Sequence, residues 1–220
     1  HAPHDSIMET TRLHYIYDPF CGWCYASAPL MAAARGLLPV TAHGGGMMAG
    51  SNRQPVTDRL RNYVMPHDRR IASMTGQPFG QAYFDGLLRD HEAVFDSEPP
   101  ITAILAALEV GGEGRDLDLL ARLQRAHYVE GRRIADAGVL AEMAADIGLD
   151  RPAFEAAYAA REGQPTRDHI AESRALLAHA GGQGFPTFAL ERHGRYRVLD
   201  TGRYLGHVDE WRAALAGMLD

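Results

Sequence analysis

An α/β fold interrupted by a block of helices is predicted by three observations on this sequence. A strand, helix, strand pattern opens the chain, an Ala/Leu/Arg/Glu-rich stretch with helical spacing fills its middle, and a hairpin followed by one helix closes it. With 220 residues and 46% hydrophobic content, the chain can bury a proper core without structural disulfides or metals, as one enlarged domain or two small ones.

Arg12-Leu13-His14-Tyr15-Ile16-Tyr17 alternates polar and apolar residues and reads as a strand ending at Asp18-Pro19. Cys21 and Cys24 follow at once. From Cys24, the residues Ala26, Leu30, Met31, Ala34 and Leu37 have helical spacing, which stops between Gly36 and Pro39, and Val40 to His43 reads as a second strand. Gly44-Gly45-Gly46 then permits unusual backbone angles or the close approach of another segment. From Pro55 to Gly163 β-branched alternation is nearly absent, so this block should be helical. Its stripes are Ile101, Ile104, Leu105 and Leu108, then Leu117, Leu120 and Leu123, then Leu140, Met143 and Ile147 up to Gly148. Asp150 is a candidate N-cap with Pro152 in the first turn, and Phe154 and Tyr158 share a face. A helix with Ile170 and Leu177 on one side ends at Gly181-Gly182. Thr187 to Leu190 and Tyr196 to Leu199 then form a hairpin around His193-Gly194, and Val208, Trp211, Leu215 and Leu219 mark a closing amphipathic helix.

The formal net charge of -6 and the lack of a dense Lys/Arg run give no support to a nucleic-acid or anionic-membrane surface. No stretch reaches the ~20 apolar residues of a membrane span. The start His1-Ala2-Pro3-His4-Asp5-Ser6-Ile7 lacks the regions of a secretory signal and reads as an added segment. If Met8 is the natural start, the fold opens almost immediately, which points to the cytoplasm; the alternative is a mature periplasmic chain whose signal was removed. His14, His43, His67, His91, His127, His169, His179, His193 and His207 are scattered without a ligand motif and read as ordinary residues. Met47-Met48 reads as packing between domains or as the lining of a substrate groove. Glu109, Glu113, Asp116 and Asp118 read as a solvated loop and helix start.

The only two cysteines lie three residues apart at a strand-to-helix junction. A zinc site needs further ligands at suitable spacing, and none is present. Packing as two buried apolar cysteines does not account for their pairing at this junction, so redox chemistry is the preferred reading. A sulfur at a helix N-terminus lies beside free backbone N–H groups and the positive end of the helix dipole, which favour negative charge on it. Cys21 is therefore expected to be the exposed nucleophile. Cys24, one turn inside the helix, would attack the mixed disulfide and release the reduced substrate. Gly22 and Trp23 should tune the redox balance, with Trp23 serving equally well as a core anchor.

These residues resemble the thioredoxin superfamily, and within it the DsbA-like oxidoreductases with an inserted helical domain, including the FrnE-like group. Cys21-Gly22-Trp23-Cys24 after a first strand, the long helical block, and Gly184-Phe185-Pro186-Thr187 before the hairpin carry the resemblance, and Pro29 matches a kinking proline in the active-site helix. The resemblance implies a thioredoxin-like fold with a large inserted all-helical domain, divided as 9–54 and 165–220 for the thioredoxin-like part and 55–164 for the insertion. It also implies that Pro186 is cis and faces the dithiol, while Phe185 offers backbone groups to an extended substrate. Many relatives carry a buried acid six residues before the nucleophile, where this chain has Tyr15; Asp18 reads as a turn former rather than as its replacement. The implied activity is dithiol/disulfide exchange with protein or small-thiol substrates and a reductant or oxidant partner. It needs no organic cofactor, and glutathione is a candidate redox partner. Two alternatives are a glutathione-dependent transferase or isomerase of the kappa-class or 2-hydroxychromene-2-carboxylate isomerase type, and a non-catalytic peptide-binding or chaperone module.

Overall fold

The computed structural model describes residues 11–220. The expected domain start at residue 9, Met8 and the segment His1 to Ile7 lie outside the described residues. β1 (Thr11–Tyr17) is the inner strand of a four-stranded sheet. It runs parallel to β2 (Val40–Gly44), from Leu13↔Val40 to Tyr17↔Gly44, and antiparallel to β5 (Thr187–Arg192), which pairs with β6 (Arg195–Val198). The order is β2-β1-β5-β6, and with both neighbours in place nearly every side chain of β1 is buried.

Tyr15 lies across from Phe188, whose ring meets Trp211 of α9 (Val208–Met218), and the Trp211 indole donates to the Leu30 carbonyl at 2.8 Å. On the other face His14 bonds His43 at 2.9 Å and Glu191 at 2.6 Å, beneath α8 (Gln164–Ala180). The mixed sheet with helices on both faces agrees with the thioredoxin-like expectation. The hairpin turn is at His193-Gly194, with φ of 52° and 75°.

The cysteine helix starts where expected, at Cys21, but it is broken. Cys21 is the N-cap of α1 (Gly22–Ala26), and α2 (Ala28–Arg35) follows after Ser27. Pro29 supplies no N–H to the preceding turn, so Ser27 closes α1 with bonds from its own N–H to Trp23 and Cys24.

The helical block contains α3 (Asp58–Thr75), α4 (Glu98–Gly111), α5 (Arg115–Tyr128), α6 (Ala137–Asp146) and α7 (Arg151–Arg161). It is not wholly helical: β3 (Gln54–Pro55) pairs with β4 (Val94–Phe95), two residues each. Pieces that short leave no periodic signal; the pairing depends on chain segments brought together from a distance, and Val56 N–H to Ala93 O extends it. The stripe on α4 also differs from expectation. Leu108 is 40% exposed while Ala103, Ala106 and Ala107 are buried, because α4 is surrounded by α5, α6, α7 and α8 and small residues let them approach. Asp116 is buried rather than solvated, with its Oδ1 accepting from the Leu117 N–H. Asp150 caps α7 as expected, accepting from the Ala153 N–H at 3.1 Å.

Candidate active site

The turn after β1 is held by Asp18, whose side chain is fully buried. Its Oδ2 accepts from the Phe20 N–H at 2.9 Å and the Ser97 hydroxyl at 3.0 Å, and its Oδ1 accepts from the Met47 N–H at 2.8 Å. The Phe20 bond is the turn role expected from sequence. The other two tie the turn to the loop after β2 and to the helical block, 29 and 79 residues away, where no sequence pattern points. Burial pushes the Asp18 carboxyl up to about 6 against the pull of those donors.

Cys21 adopts the extended conformation of an N-cap. Its Sγ accepts from the Cys24 N–H at 3.3 Å and donates to the Phe185 carbonyl at 3.4 Å. The Phe185–Pro186 peptide bond is cis. The structure thus brings Cys21, Cys24, Phe185 and Pro186 to one place, but Cys21 is only 4% exposed, so the expected open nucleophile is a covered one. α3 packs on the turn between the two cysteines: a Cβ at Gly22 would lie 3.1 Å from Ile71 Cδ1 and 3.3 Å from Asp68 Oδ1. Trp23 is half-buried, packs against the core and lies under Arg70, 5.7 Å from the ring centroid. Phe20 stacks on Phe95, with His127 at its edge, which fixes the motif to the helical block.

Cys24 is fully buried. Burial first, then the neighbouring Cys21, push its thiol well above the ordinary range, while the Asp18 backbone N–H acts in the opposite direction. Tyr15, at the position where the resemblance led to an expected acid, is fully buried in the same core cluster as Cys24. Burial first, then the neighbouring Cys24 and Cys21, raise the phenol well above its usual value, so it stays neutral.

Sequence reasoning missed three residues. Asp68 on α3 is 3% exposed, receives the Tyr83 hydroxyl at 2.6 Å and is pushed by burial up to about 6; in Asp68-Arg69-Arg70 it looks solvated. Arg174 on α8 donates to the carbonyls of Gly45 at 2.7 Å and Gly46 at 3.1 Å and sits over the Phe185 ring. Ser97, the third, completes the Asp18 cluster. The glycine run makes close approaches, as its composition suggests: a Cβ on Gly45 would fall 2.0 Å from Phe185 Cε1. Gly45→Ala is therefore expected to displace the Phe185 ring and lower the second-order rate with a disulfide substrate by about tenfold, for a strain cost of about 1–3 kcal/mol. Stopped-flow exchange together with thermal unfolding checks this; an unchanged rate would show that the ring position is immaterial.

Met47 and Met48 both pack on the core and, with Arg59, Leu60, Tyr63 and Val64, line a cavity of about 630 Å³ beside this loop. Tyr63 is 68% exposed there. Among the described residues no group of three His, Cys, Asp or Glu side chains is arranged to hold a metal, and no helix is long and apolar enough to cross a membrane.

No protein-family model and no curated protein matches the chain. Among solved structures, the cytosolic disulfide reductase DsbM from Pseudomonas aeruginosa is 58% identical over 94% of this chain and 98% of that one, with a TM-score of 0.88. The same reductase with GSH is 56% identical over the same shares, with a TM-score of 0.87. A protein from Nitrosomonas europaea described as a candidate protein disulfide isomerase is 23% identical, covering 96% of this chain and 98% of that one with a TM-score of 0.77, a likeness of fold.

Proposed function

The chain belongs to the DsbA-like disulfide oxidoreductases of the thioredoxin superfamily, and from that premise we propose that it reduces protein or small-thiol disulfides in the cytoplasm, with glutathione as redox partner. Cys21 is the attacking sulfur and Cys24 the resolving one. The observation that carries this reading is the placement of Cys21 Sγ between the Cys24 N–H and the Phe185 carbonyl, with Cys24 wholly enclosed behind it.

The Cys21 thiolate attacks one sulfur of a substrate disulfide, the substrate S–S bond breaks, and one substrate thiolate leaves. Once Cys21 has lost its proton it no longer donates to Phe185, whose carbonyl is free to pair with an extended substrate segment beside Pro186. Cys24 then gives up its proton and attacks Cys21 Sγ, releasing the second thiolate and closing the Cys21–Cys24 disulfide. Two electrons have passed to the substrate, and two glutathione thiols restore the dithiol as they become glutathione disulfide. The relative solved with GSH supports this partner. Residues 55–164, as the helical insertion, would supply the packing of α3 on Gly22 and most of the wall of the Met47/Tyr63 groove, while Gly22 and Trp23 set the sulfur environment.

The single-thiol transferase and isomerase reading leaves Cys24 without a task. A binding-module reading draws on the 4% exposure of Cys21 and on the groove with exposed Tyr63. One experiment separates these functions. The protein is equilibrated in glutathione buffers of graded ratio, the Cys21–Cys24 disulfide is quantified, and insulin reduction is followed in parallel. A reversible titration with catalysed reduction is expected. Absence of both, with retained binding of an unfolded protein, would replace exchange by the binding module.

A further inference from the structure

Gly44-Gly45-Gly46 has no side chain with which to fix its own backbone, so its shape is imposed from outside. β1 supplies one tie, the Tyr17 carbonyl accepting from the Gly45 N–H at 2.8 Å. The others come from α8. His169 Nε2 accepts from the Gly44 N–H at 3.0 Å, while Arg174 donates from Nε to the Gly45 carbonyl at 2.7 Å and from Nη2 to the Gly46 carbonyl at 3.1 Å. An acceptor role for His169 Nε2 places the ring proton on Nδ1, and burial lowers the pKa of this histidine, which keeps the ring neutral and able to accept. The Arg174 guanidinium also lies over the Phe185 ring, 5.6 Å from its centroid. The same ring touches the loop itself, since a Cβ on Gly45 would fall 2.2 Å from its Cζ. Phe185 is thus held by α8 both directly and through the loop. Its carbonyl, at the cis bond to Pro186, receives Cys21 Sγ at 3.4 Å.

We propose that His169 and Arg174 are positioning residues for the Phe185 carbonyl: α8 locks the glycine loop, the loop and the guanidinium seat the Phe185 ring, and the ring fixes where an extended substrate segment pairs with the backbone. This rests on the exchange reading and deepens it, by naming what selects disulfides carried on a peptide over compact ones. A peptide N–H bonds a carbonyl only within a narrow range of distance and direction, so a loosened Phe185 loses peptide substrates. Cys21 keeps its N-cap place on α1 and the Cys24 N–H at its sulfur, so it still attacks a compact disulfide. Both residues act through the loop and the Phe185 ring.

The test is stopped-flow reaction of the reduced protein with two disulfides that share one leaving group. One is 5,5′-dithiobis(2-nitrobenzoate), and the other is thionitrobenzoate in mixed disulfide with a synthetic peptide that has a single central cysteine. In each, the Cys21 thiolate bonds the far sulfur, the original S–S bond breaks, and thionitrobenzoate leaves as a coloured thiolate. With the unsubstituted protein, N-methylation of the peptide backbone beside its cysteine removes N–H donors and is expected to slow the reaction about tenfold, the size of one hydrogen bond. Arg174→Met keeps an aliphatic stem over the Phe185 ring and removes the donors, at an exposed position whose replacement leaves the core intact. It is expected to slow the peptide reaction about tenfold, chiefly by raising the half-saturating concentration, to leave the compact disulfide within about twofold, and to make N-methylation immaterial. His169→Leu should act the same way at about threefold, and His169→Gln, whose Oε1 can accept from the Gly44 N–H, should restore the rate. Equal slowing of both disulfides, peptide rates unchanged in Arg174→Met and His169→Leu, or no effect of N-methylation on the unsubstituted protein overturns the positioning role. Absence of thionitrobenzoate release from either disulfide by the unsubstituted protein would instead overturn the exchange reading on which it stands.

Discussion

Serine in place of Cys21 is expected to abolish disulfide exchange, whereas serine in place of Cys24 is expected to leave substrate captured on Cys21 as a stable mixed disulfide. A hydroxyl is not ionised near neutral pH and does not displace a thiolate, so the loss in Cys21→Ser should be about 10³-fold or more. In Cys24→Ser the attack survives, because Cys21 keeps its N-cap place on α1 with the backbone N–H of residue 24 directed at its sulfur, and only release is blocked. Intact-mass spectrometry of each variant after reaction with glutathione disulfide reads the outcome directly. An adduct on Cys24 in the Cys21→Ser protein, with none on Cys21 in the Cys24→Ser protein, would invert the roles. Burial argues against that inversion, since Cys24 has no exposed surface.

Asp18→Ala is expected to cost about 3–5 kcal/mol of stability. It strands the Phe20 N–H, the Met47 N–H and the Ser97 hydroxyl inside the fold, and each buried donor left without an acceptor costs about 1–3 kcal/mol. Asp18→Asn relieves this only in part, because its amide nitrogen must face either the Phe20 or the Met47 N–H. The loss should also depend on pH. The carboxyl titrates at about 6 when folded and at 3.8 as a free group. The folded chain takes up that proton first, so the contribution is full below 3.8 and is lost as pH rises through about 6. The gap between the unsubstituted protein and Asp18→Ala should thus be wider at pH 5 than at pH 7.5 in denaturant titrations. A gap below about 1 kcal/mol, or one that narrows at pH 5, contradicts the account.

Both predictions concern one heptapeptide, Asp18 to Cys24, but its parts were legible to different degrees. The N-cap position of Cys21 is a local property of a strand ending at Asp18-Pro19 and a helix starting at once. The Asp150 cap and the His193-Gly194 turn are local in the same way. The approach of Phe185 to Cys21 spans 164 residues and was anticipated only through the resemblance of Gly184-Phe185-Pro186-Thr187 to a family motif. The packing of α3 on Gly22, with Asp68 buried there, had no counterpart in the pattern of charges along α3.

By itself, then, the sequence determined the order of the longer strands and helices and which cysteine stands at the helix start, since these follow from side-chain period, caps and turns within a few residues. Tertiary structure alone decided that Asp18 is a fully buried acid whose hydrogen bonds also reach Met47 and Ser97 beyond its own turn, that Leu108 faces out while alanines fill the α4 interior, and that Tyr15 and Gln124 line one small cavity between α2 and α5. The reason is physical: burial, desolvation and hydrogen-bond satisfaction are sums over neighbours from the whole chain, and periodicity records only the nearest of them.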